Sequence, residues 1–163
     1  MRRLPRAAFI PLVALATYAT LGAVALVPDR GDDFQRLYVS ATSWAHGGNP
    51  YAIVIADTPN LNHPLLLPFL WLFTLGSEPA GFIAWSIVSL VLFAACVPAI
   101  SRHARIVPLD LVVLILASTA TFVALSFGQV SFLLMAIFTA AWCADRNGRT
   151  TSAGAMLGAL SVL

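Results

Sequence analysis

The sequence predicts an all-α protein, a polytopic bundle of transmembrane helices. Of its 163 residues, 60% are hydrophobic and only 10% are charged, and a soluble domain of this size could not keep so much apolar side chain away from water. Several apolar runs have the length of about 20 residues that crosses a bilayer. The nine basic residues are all arginine and stand between those runs rather than on one polar face, which excludes a nucleic-acid-binding surface.

The chain begins with a basic leader, MRRLPR, and a first predicted span over residues 7–27. A cleaved signal peptide is the rival interpretation, because Ala23-Val24-Ala25 resembles a cleavage site. The apolar run is longer than the core of about 7 to 15 residues that is typical of such peptides, which favours an uncleaved helix. On either interpretation the chain from Pro28 onward emerges on the outer side of the membrane.

Residues 28–78 form the predicted outer loop, and two helices in it are expected to lie along the membrane interface. The first covers about 33–46, where apolar residues recur at intervals of three and four and Gly47-Gly48 ends the helix. These apolar residues are Phe34, Leu37, Tyr38, Ala41, Trp44 and Ala45. The second covers 64–75, and its apolar run reaches only about half of the hydrocarbon thickness.

The arginines indicate that the 64–75 helix does not cross the membrane. The spans that follow are then 79–100, 108–126 and 129–145, with the start of a fifth at 152–163. This topology puts seven arginines inside and two outside, whereas a crossing at 64–75 would put three inside and six outside. Cytoplasmic loops carry the excess of arginine, so we predict a multi-pass plasma-membrane protein with a cytoplasmic N-terminus and an extracytoplasmic first loop. The incomplete last span predicts an N-terminal fragment, inactive on its own.

Asp32 and Asp33 stand at the start of the first loop helix and are the main candidates for chemistry. Asp32 with Gln35 indicates a capping box, which gives one aspartate a structural role. Asp33 would then be the first helical residue, where the helix dipole favours its carboxylate form. Such a carboxylate could take a proton from a sugar hydroxyl, as general-base catalysis requires; a solvated loop carboxylate is the plain alternative.

A set of short motifs follows one order along the chain. They are Asp33-Phe34, Tyr38, Gly48-Asn49-Pro50-Tyr51, His63-Pro64, Pro68 and Gly128-Gln129. This set resembles glycosyltransferase family 87, the polyprenol-phosphate-mannose-dependent α-mannosyltransferases of the GT-C fold. The resemblance implies a GT-C-like N-terminal part, transfer of mannose from a polyprenyl-phosphate sugar donor to a glycolipid or cell-envelope glycan acceptor, and inversion at the anomeric carbon. It also implies Asp33 as the catalytic base, with Asp32 as the alternate, and no cofactor.

Four further residues are candidates for substrate binding. Arg36 lies one turn from Asp33 and could bind the carrier phosphate, or could instead pair with Asp33 or extend to the lipid headgroups. Tyr38 could hydrogen-bond to the substrate or belong to an interfacial aromatic belt. His63 could bind phosphate or sugar, or cap a proline-led turn. Gln129 could line the pocket or satisfy free backbone groups at the helix ends.

No metal site is predicted, because His46, Asp57 and His63 match no zinc spacing. Cys96 and Cys143 fall within apolar spans and are expected to behave as small hydrophobes. The competing class is a non-enzymatic multispanning membrane protein, such as a transporter or channel subunit, and an inactive truncated product is the third alternative. Transport proteins bury ionisable residues in mid-span. Here the polar residues lie instead in the outer loop, which is expected to contact membrane lipid.

Overall fold

The computed structural model describes residues 31–55, 58–59, 63–116 and 118–160. These residues are helical apart from turns and one short β-ladder, so the all-α class is confirmed. The predicted first span, 7–27, lies outside the described residues, and so does Asp57.

The helices are α1 (Asp32–Ala45), α2 (Leu67–Trp71), α3 (Glu78–Ala104), α4 (Pro108–Leu116), α5 (Thr119–Phe127), α6 (Ser131–Arg146) and α7 (Thr150–Leu160). Turns of 3-10 helix, Pro64–Leu66 and Leu72–Thr74, extend α2 at both ends. Before them, the strands β1 (Val54–Ile55) and β2 (Thr58–Pro59) pair antiparallel, with Val54 opposite Pro59 and Ile55 opposite Thr58.

The start of α1 differs from the predicted capping box. The N-cap residue is Gly31, whose φ of 87° lies in the left-handed region that glycine adopts readily, and no side chain caps the helix. The Gly31 N–H donates to the carbonyl of Ser126 at 2.7 Å. The capping-box prediction is therefore wrong, because the N-cap is Gly31, held by a tertiary hydrogen bond, and not Asp32. The helix begins one residue before the predicted start at Asp33. Asp32 and Asp33 are its first two residues.

The apolar face of α1 packs against other helices rather than lying bare. Phe34, Leu37 and Ala41 are at most 2% exposed, whereas Trp44, near the end of the same face, is 40% exposed. The residues that pack with them are Leu66, Leu67, Leu70 and Trp85. Because each buried side chain of this size contributes about 1.5 to 3 kcal/mol, α1 is firmly anchored to the bundle.

Trp85 lies at the centre of this core and is 1% exposed. Its ring meets those of Phe69 and Phe73 edge-on, with centroids 6.2 and 5.3 Å away. Its Nε1–H donates to the carbonyl of Gly128 at 2.9 Å, which satisfies a buried donor. Gly128 has a φ of +70°, and a Cβ there would come within 2.6 Å of the Phe34 Cβ. Trp85 thus joins α2, α3 and the turn after α5.

Within the described ranges, α3 is the one helix that is both long and apolar enough to cross a membrane. It has 27 residues and runs beyond the predicted 79–100 until Arg105 adopts a left-handed conformation. At 1.5 Å per residue it is about 40 Å long. Its exposed stripe consists of Ile83, Ile87 and Val91, which are 60%, 56% and 60% exposed.

The predicted span 108–126 is interrupted in the structure. α4 ends at Leu116 and α5 begins at Thr119, with Ser118 in extended conformation between them. The Ser118 Oγ accepts the Thr121 N–H at 3.2 Å, and a serine that caps in this way competes with a continuous helix. Each half has nine residues and is about 14 Å long, too short to cross alone.

The second core joins α3 to the helices that follow it. Its buried members are Phe93, Val97, Leu111, Leu116, Ala124, Leu125 and Phe132. α6 and α7 lie where helices are predicted at 129–145 and from 152 onward, and α6 packs against both α3 and α7.

Candidate functional site

Asp33 combines a fixed position with access to solvent. It lies in the first turn of α1, its side chain is 34% exposed, and its Oδ1 accepts a hydrogen bond from Arg36 Nη1 at 2.6 Å. The neighbouring Phe34 is buried in the core, so the backbone that carries the carboxylate is rigidly held. A positioned, partly exposed carboxylate at a helix N-terminus can accept a proton from a bound hydroxyl.

Arg36 forms the ion pair that the sequence leaves open as one of its two roles. It is only 16% exposed, and its Nε donates to the carbonyl of Ile55 at 3.1 Å. The guanidinium therefore connects α1 to β1 and orients Asp33. Because arginine carries several N–H donors in a planar fork, donors remain that could bind an anion.

The other edge of α1 contacts the segment before α3. The Tyr38 hydroxyl donates to the carbonyl of Gly76 at 2.7 Å, which gives this tyrosine a structural partner. Gln35 Nε2 lies 3.5 Å from Glu78 Oε2, at the upper limit for a hydrogen bond. These contacts fix the start of α3 beside the start of α1.

Glu78 is a polar residue of this region that is not among the candidates predicted from the sequence. A pocket of about 380 Å³ opens between the starts of α1 and α3. Its lining consists of Gly31, Phe34, Glu78, Pro79, Phe82 and Ile83. In sequence, Glu78 is an ordinary acidic residue in the first turn of a helix, so only the tertiary arrangement identifies it.

Gln129 and His63 occupy different surroundings. The hydrogen bond between Gly31 and Ser126 brings the Gln129 turn to the start of α1, at the same end of the bundle as Asp33. Gln129 Oε1 accepts from Ser131 Oγ at 3.3 Å. His63 is exposed and caps the following turn, with its Nδ1 accepting from the Leu65 N–H at 3.3 Å. Among the described residues, neither hydrogen-bonds to Asp33.

The two ends of α3 differ in the charged residues that lie near them. At its start, the Phe82 ring lies 5.7 Å from that of Phe34, which directly follows the aspartate pair. At its other end, about 40 Å away, His103 Nδ1 lies 4.0 Å from Cys143 Sγ and brings the ends of α3 and α6 together. The exposed arginines at that end are Arg102, Arg105, Arg146 and Arg149. Of the five described arginines, four thus lie at this end, together with Asp110 and Asp145, whereas Asp32, Asp33 and Glu78 lie at the other end with Arg36.

A family model described as glycosyltransferase family 87 matches residues 60–163, nearly two thirds of the chain. The matched part contains His63, Gln129 and every helix from α2 onward, whereas Asp33 and Arg36 precede it. No curated protein matches the chain, and no solved structure does. Members of the matched family are membrane glycosyltransferases. Since the match covers more than half of the sequence, the chain belongs to glycosyltransferase family 87.

Proposed function

We propose that this protein transfers a hexose, mannose, from a polyprenyl-phosphate donor to a hydroxyl of a glycolipid or cell-envelope glycan, on the extracytoplasmic side of the plasma membrane. Family membership supports the reaction class. The observation that carries the choice of site is the Asp33–Arg36 pair at the partly exposed start of an anchored helix. No cofactor takes part in the proposed reaction.

Asp33 is the proposed general base. Its carboxylate takes the proton of the acceptor hydroxyl while the hydroxyl oxygen attacks the anomeric carbon from the face opposite the carrier. The bond between that carbon and the phosphate oxygen breaks, and the polyprenyl phosphate leaves with the bonding electrons. The configuration at the anomeric carbon is therefore inverted. Asp32, the neighbouring carboxylate, is the alternate base.

Arg36 is proposed to bind the donor phosphate while it holds Asp33. Two of its nitrogens are engaged by Asp33 and Ile55, and its remaining N–H groups are suited to phosphate oxygens. Because the base and the leaving group then share one guanidinium, both ends of the reacting system are positioned by a single side chain.

Three further side chains are proposed to contact the substrates. The Tyr38 hydroxyl donates to Gly76 and can still accept a hydrogen bond from a sugar hydroxyl. His63 presents an exposed imidazole, and the amide of Gln129 lies in the turn next to the start of α1. Each offers a donor or acceptor to a sugar, and none is assigned a chemical step.

The proposed topology puts the Asp33 end of the bundle outside and the arginine end in the cytoplasm. The positive-inside rule supports it, because four exposed arginines lie at the latter end. The proposed spans are 7–27, 79–100, an interrupted span formed by α4 and α5 together, and 129–145, with a further span starting at 152. The aliphatic stripe on α3 would then give the lipid tail of the donor a path toward Asp33.

A transfer assay with two donors tests the proposed reaction. Membranes from cells with and without the full-length protein are supplied with polyprenyl-phosphate [14C]mannose or with GDP-[14C]mannose, while endogenous synthesis of the lipid-linked donor is blocked. We expect labelled glycolipid or glycan only when the protein and the lipid-linked donor are both present. Equal transfer from the nucleotide sugar, or transfer that does not depend on the protein, contradicts the proposed function.

A further inference from the structure

A groove of about 350 Å³ lies between α6 and α7, at the arginine end of the bundle. Its apolar walls include Phe138, Trp142 and Leu157, and Asp145 and Thr150 line it near the turn between the helices. Phe138 and Leu157 are 60% and 47% exposed, so the groove opens toward the surroundings of the bundle. This shape and composition suit an extended apolar chain.

Arg146 and Arg149 flank the turn at the polar end of this groove. Both side chains are exposed, and the Arg146 guanidinium lies 5.9 Å from the centre of the Trp142 ring. A cation at that distance is attracted to the ring face, which holds the charge beside the groove wall. Among the described residues, neither arginine forms an ion pair with a carboxylate. The turn therefore offers two cations without a described ion-pair partner next to an apolar groove, which also contains one carboxylate, that of Asp145.

We propose that this groove binds one anionic glycerophospholipid of the membrane. Its phosphate is held by Arg146 and Arg149, and one acyl chain lies between α6 and α7. Charge complementarity carries the choice of ligand, because arginine makes charge-assisted hydrogen bonds to phosphate oxygens and basic residues next to membrane helices attract anionic headgroups. Trp142 supports it, since tryptophan favours the depth at which the headgroups lie.

The charge of Asp145 distinguishes the proposed lipid site from a surface that is only apolar. Its carboxylate lines the groove and repels a phosphate bound at the turn. Removing this charge is therefore expected to strengthen the binding of an anionic lipid, whereas removing the arginine charges weakens it.

Arg102 and Arg105 provide a matched control for general attraction to the basic end. They lie at the end of α3, whose contacts with α6 include Phe93 with Phe132 and His103 with Cys143 and Trp142, and neither arginine lines the groove. Neutralising them removes the same charge from the same end of the bundle and changes no residue that lines the groove.

Native mass spectrometry of the purified full chain in detergent tests the proposal, with dioleoyl phosphatidylglycerol and dioleoyl phosphatidylcholine as probes. We expect the unmodified protein to retain one phosphatidylglycerol in preference to phosphatidylcholine. The double variant Arg146→Gln/Arg149→Gln is expected to lose about tenfold or more in phosphatidylglycerol affinity, the size expected for charged hydrogen bonds. Arg102→Gln/Arg105→Gln should change it less than about twofold, since exposed charges elsewhere contribute little, and Asp145→Asn should raise it.

A pair of glycine variants tests the acyl-chain part of the site. A Cβ at Gly154 or at Gly158 meets no atom of the described residues within 4 Å, so both positions have room for the start of a larger side chain. Only Gly154 lines the groove. Gly154→Leu is expected to reduce lipid binding and Gly158→Leu to leave it unchanged, with thermal unfolding as the check on folding. Equal losses in the two arginine double variants, equal binding of both lipids, or full binding by folded Gly154→Leu would overturn the proposal.

Discussion

Asp33→Asn in the full-length protein is expected to lower the rate of hexose transfer about 10²- to 10⁴-fold, the contribution typical of a general base. The asparagine side chain has the same size and can still accept the hydrogen bond from Arg36, so the helix start keeps its geometry. An amide cannot take the proton of the acceptor hydroxyl. The measurement is the initial rate of label transfer in membranes at saturating lipid-linked donor, normalised to the amount of protein.

Asp32→Asn is the matched control, because it removes the same charge from the adjacent residue in the same helical turn. Within the part of the chain that the structure describes, it is Asp33 that is ion-paired with Arg36, and we expect Asp32→Asn to retain activity within a few-fold. A large loss in Asp32→Asn together with an active Asp33→Asn would assign the base to Asp32. Activity in both single variants and in the double variant would refute catalysis by this pair.

Trp85→Ala is expected to lower the free energy of unfolding by about 3 to 5 kcal/mol, the range for truncating a large buried aromatic residue. The variant loses the edge-on contacts with Phe69 and Phe73 and the hydrogen bond to Gly128. Because these contacts join α2, α3 and the turn after α5, the loss should appear as a lower unfolding temperature of the purified protein in detergent.

Two further tryptophan variants separate the causes of that loss. Trp85→Phe keeps an aromatic ring in the core but leaves the buried Gly128 carbonyl without its donor, and should cost about 1 to 3 kcal/mol. Trp71→Ala removes an indole that is 41% exposed and is expected to have a much smaller effect. A Trp71→Ala variant destabilised as strongly as Trp85→Ala would contradict this description of the core.

Local sequence signals predict the helices around the site well. α1 begins and ends within one residue of the predicted 33–46, because its apolar residues recur with helical spacing and Gly47-Gly48 follows. The helical segment Pro64–Thr74 falls within the predicted 64–75, since a proline starts it and its apolar run is short. In both segments the information lies within a few neighbouring residues.

Features that depend on distant parts of the chain could not be predicted in the same way. Gly31 is the N-cap of α1, and its N–H donates to the Ser126 carbonyl. No pattern of neighbouring residues in the sequence predicts that hydrogen bond. The apolar face of α1 is predicted to meet the membrane interface, but residues of the Pro64–Thr74 segment and α3 cover it instead. The break at Ser118 has a local signal, because Ser118 stands three residues before Thr121 in a stretch with several β-branched residues. A prediction of membrane spans misses this signal, because residues 108–126 are apolar overall.

The sequence predicts which residues are candidates for the site, but not how they are arranged in space. The adjacency of Asp33 and Arg36 on one helical turn follows from their spacing, and the structure contains that pair. The position of the Gln129 turn beside α1, and that of Glu78 in the neighbouring pocket, follow only from tertiary contacts.

The sidedness of the Asp33 end of the bundle is the central claim, and cysteine labelling tests it most directly. Ser77 is exposed and directly precedes α3 at the Asp33 end, while Asn147 is exposed at the arginine end. Single cysteines are introduced at these positions after the free Cys96 and Cys143 are replaced by alanine. In intact cells, a membrane-impermeant maleimide should label Ser77→Cys and should reach Asn147→Cys only after permeabilisation. Labelling of Asn147→Cys alone in intact cells would place Asp33 in the cytoplasm and contradict transfer from an extracytoplasmic donor.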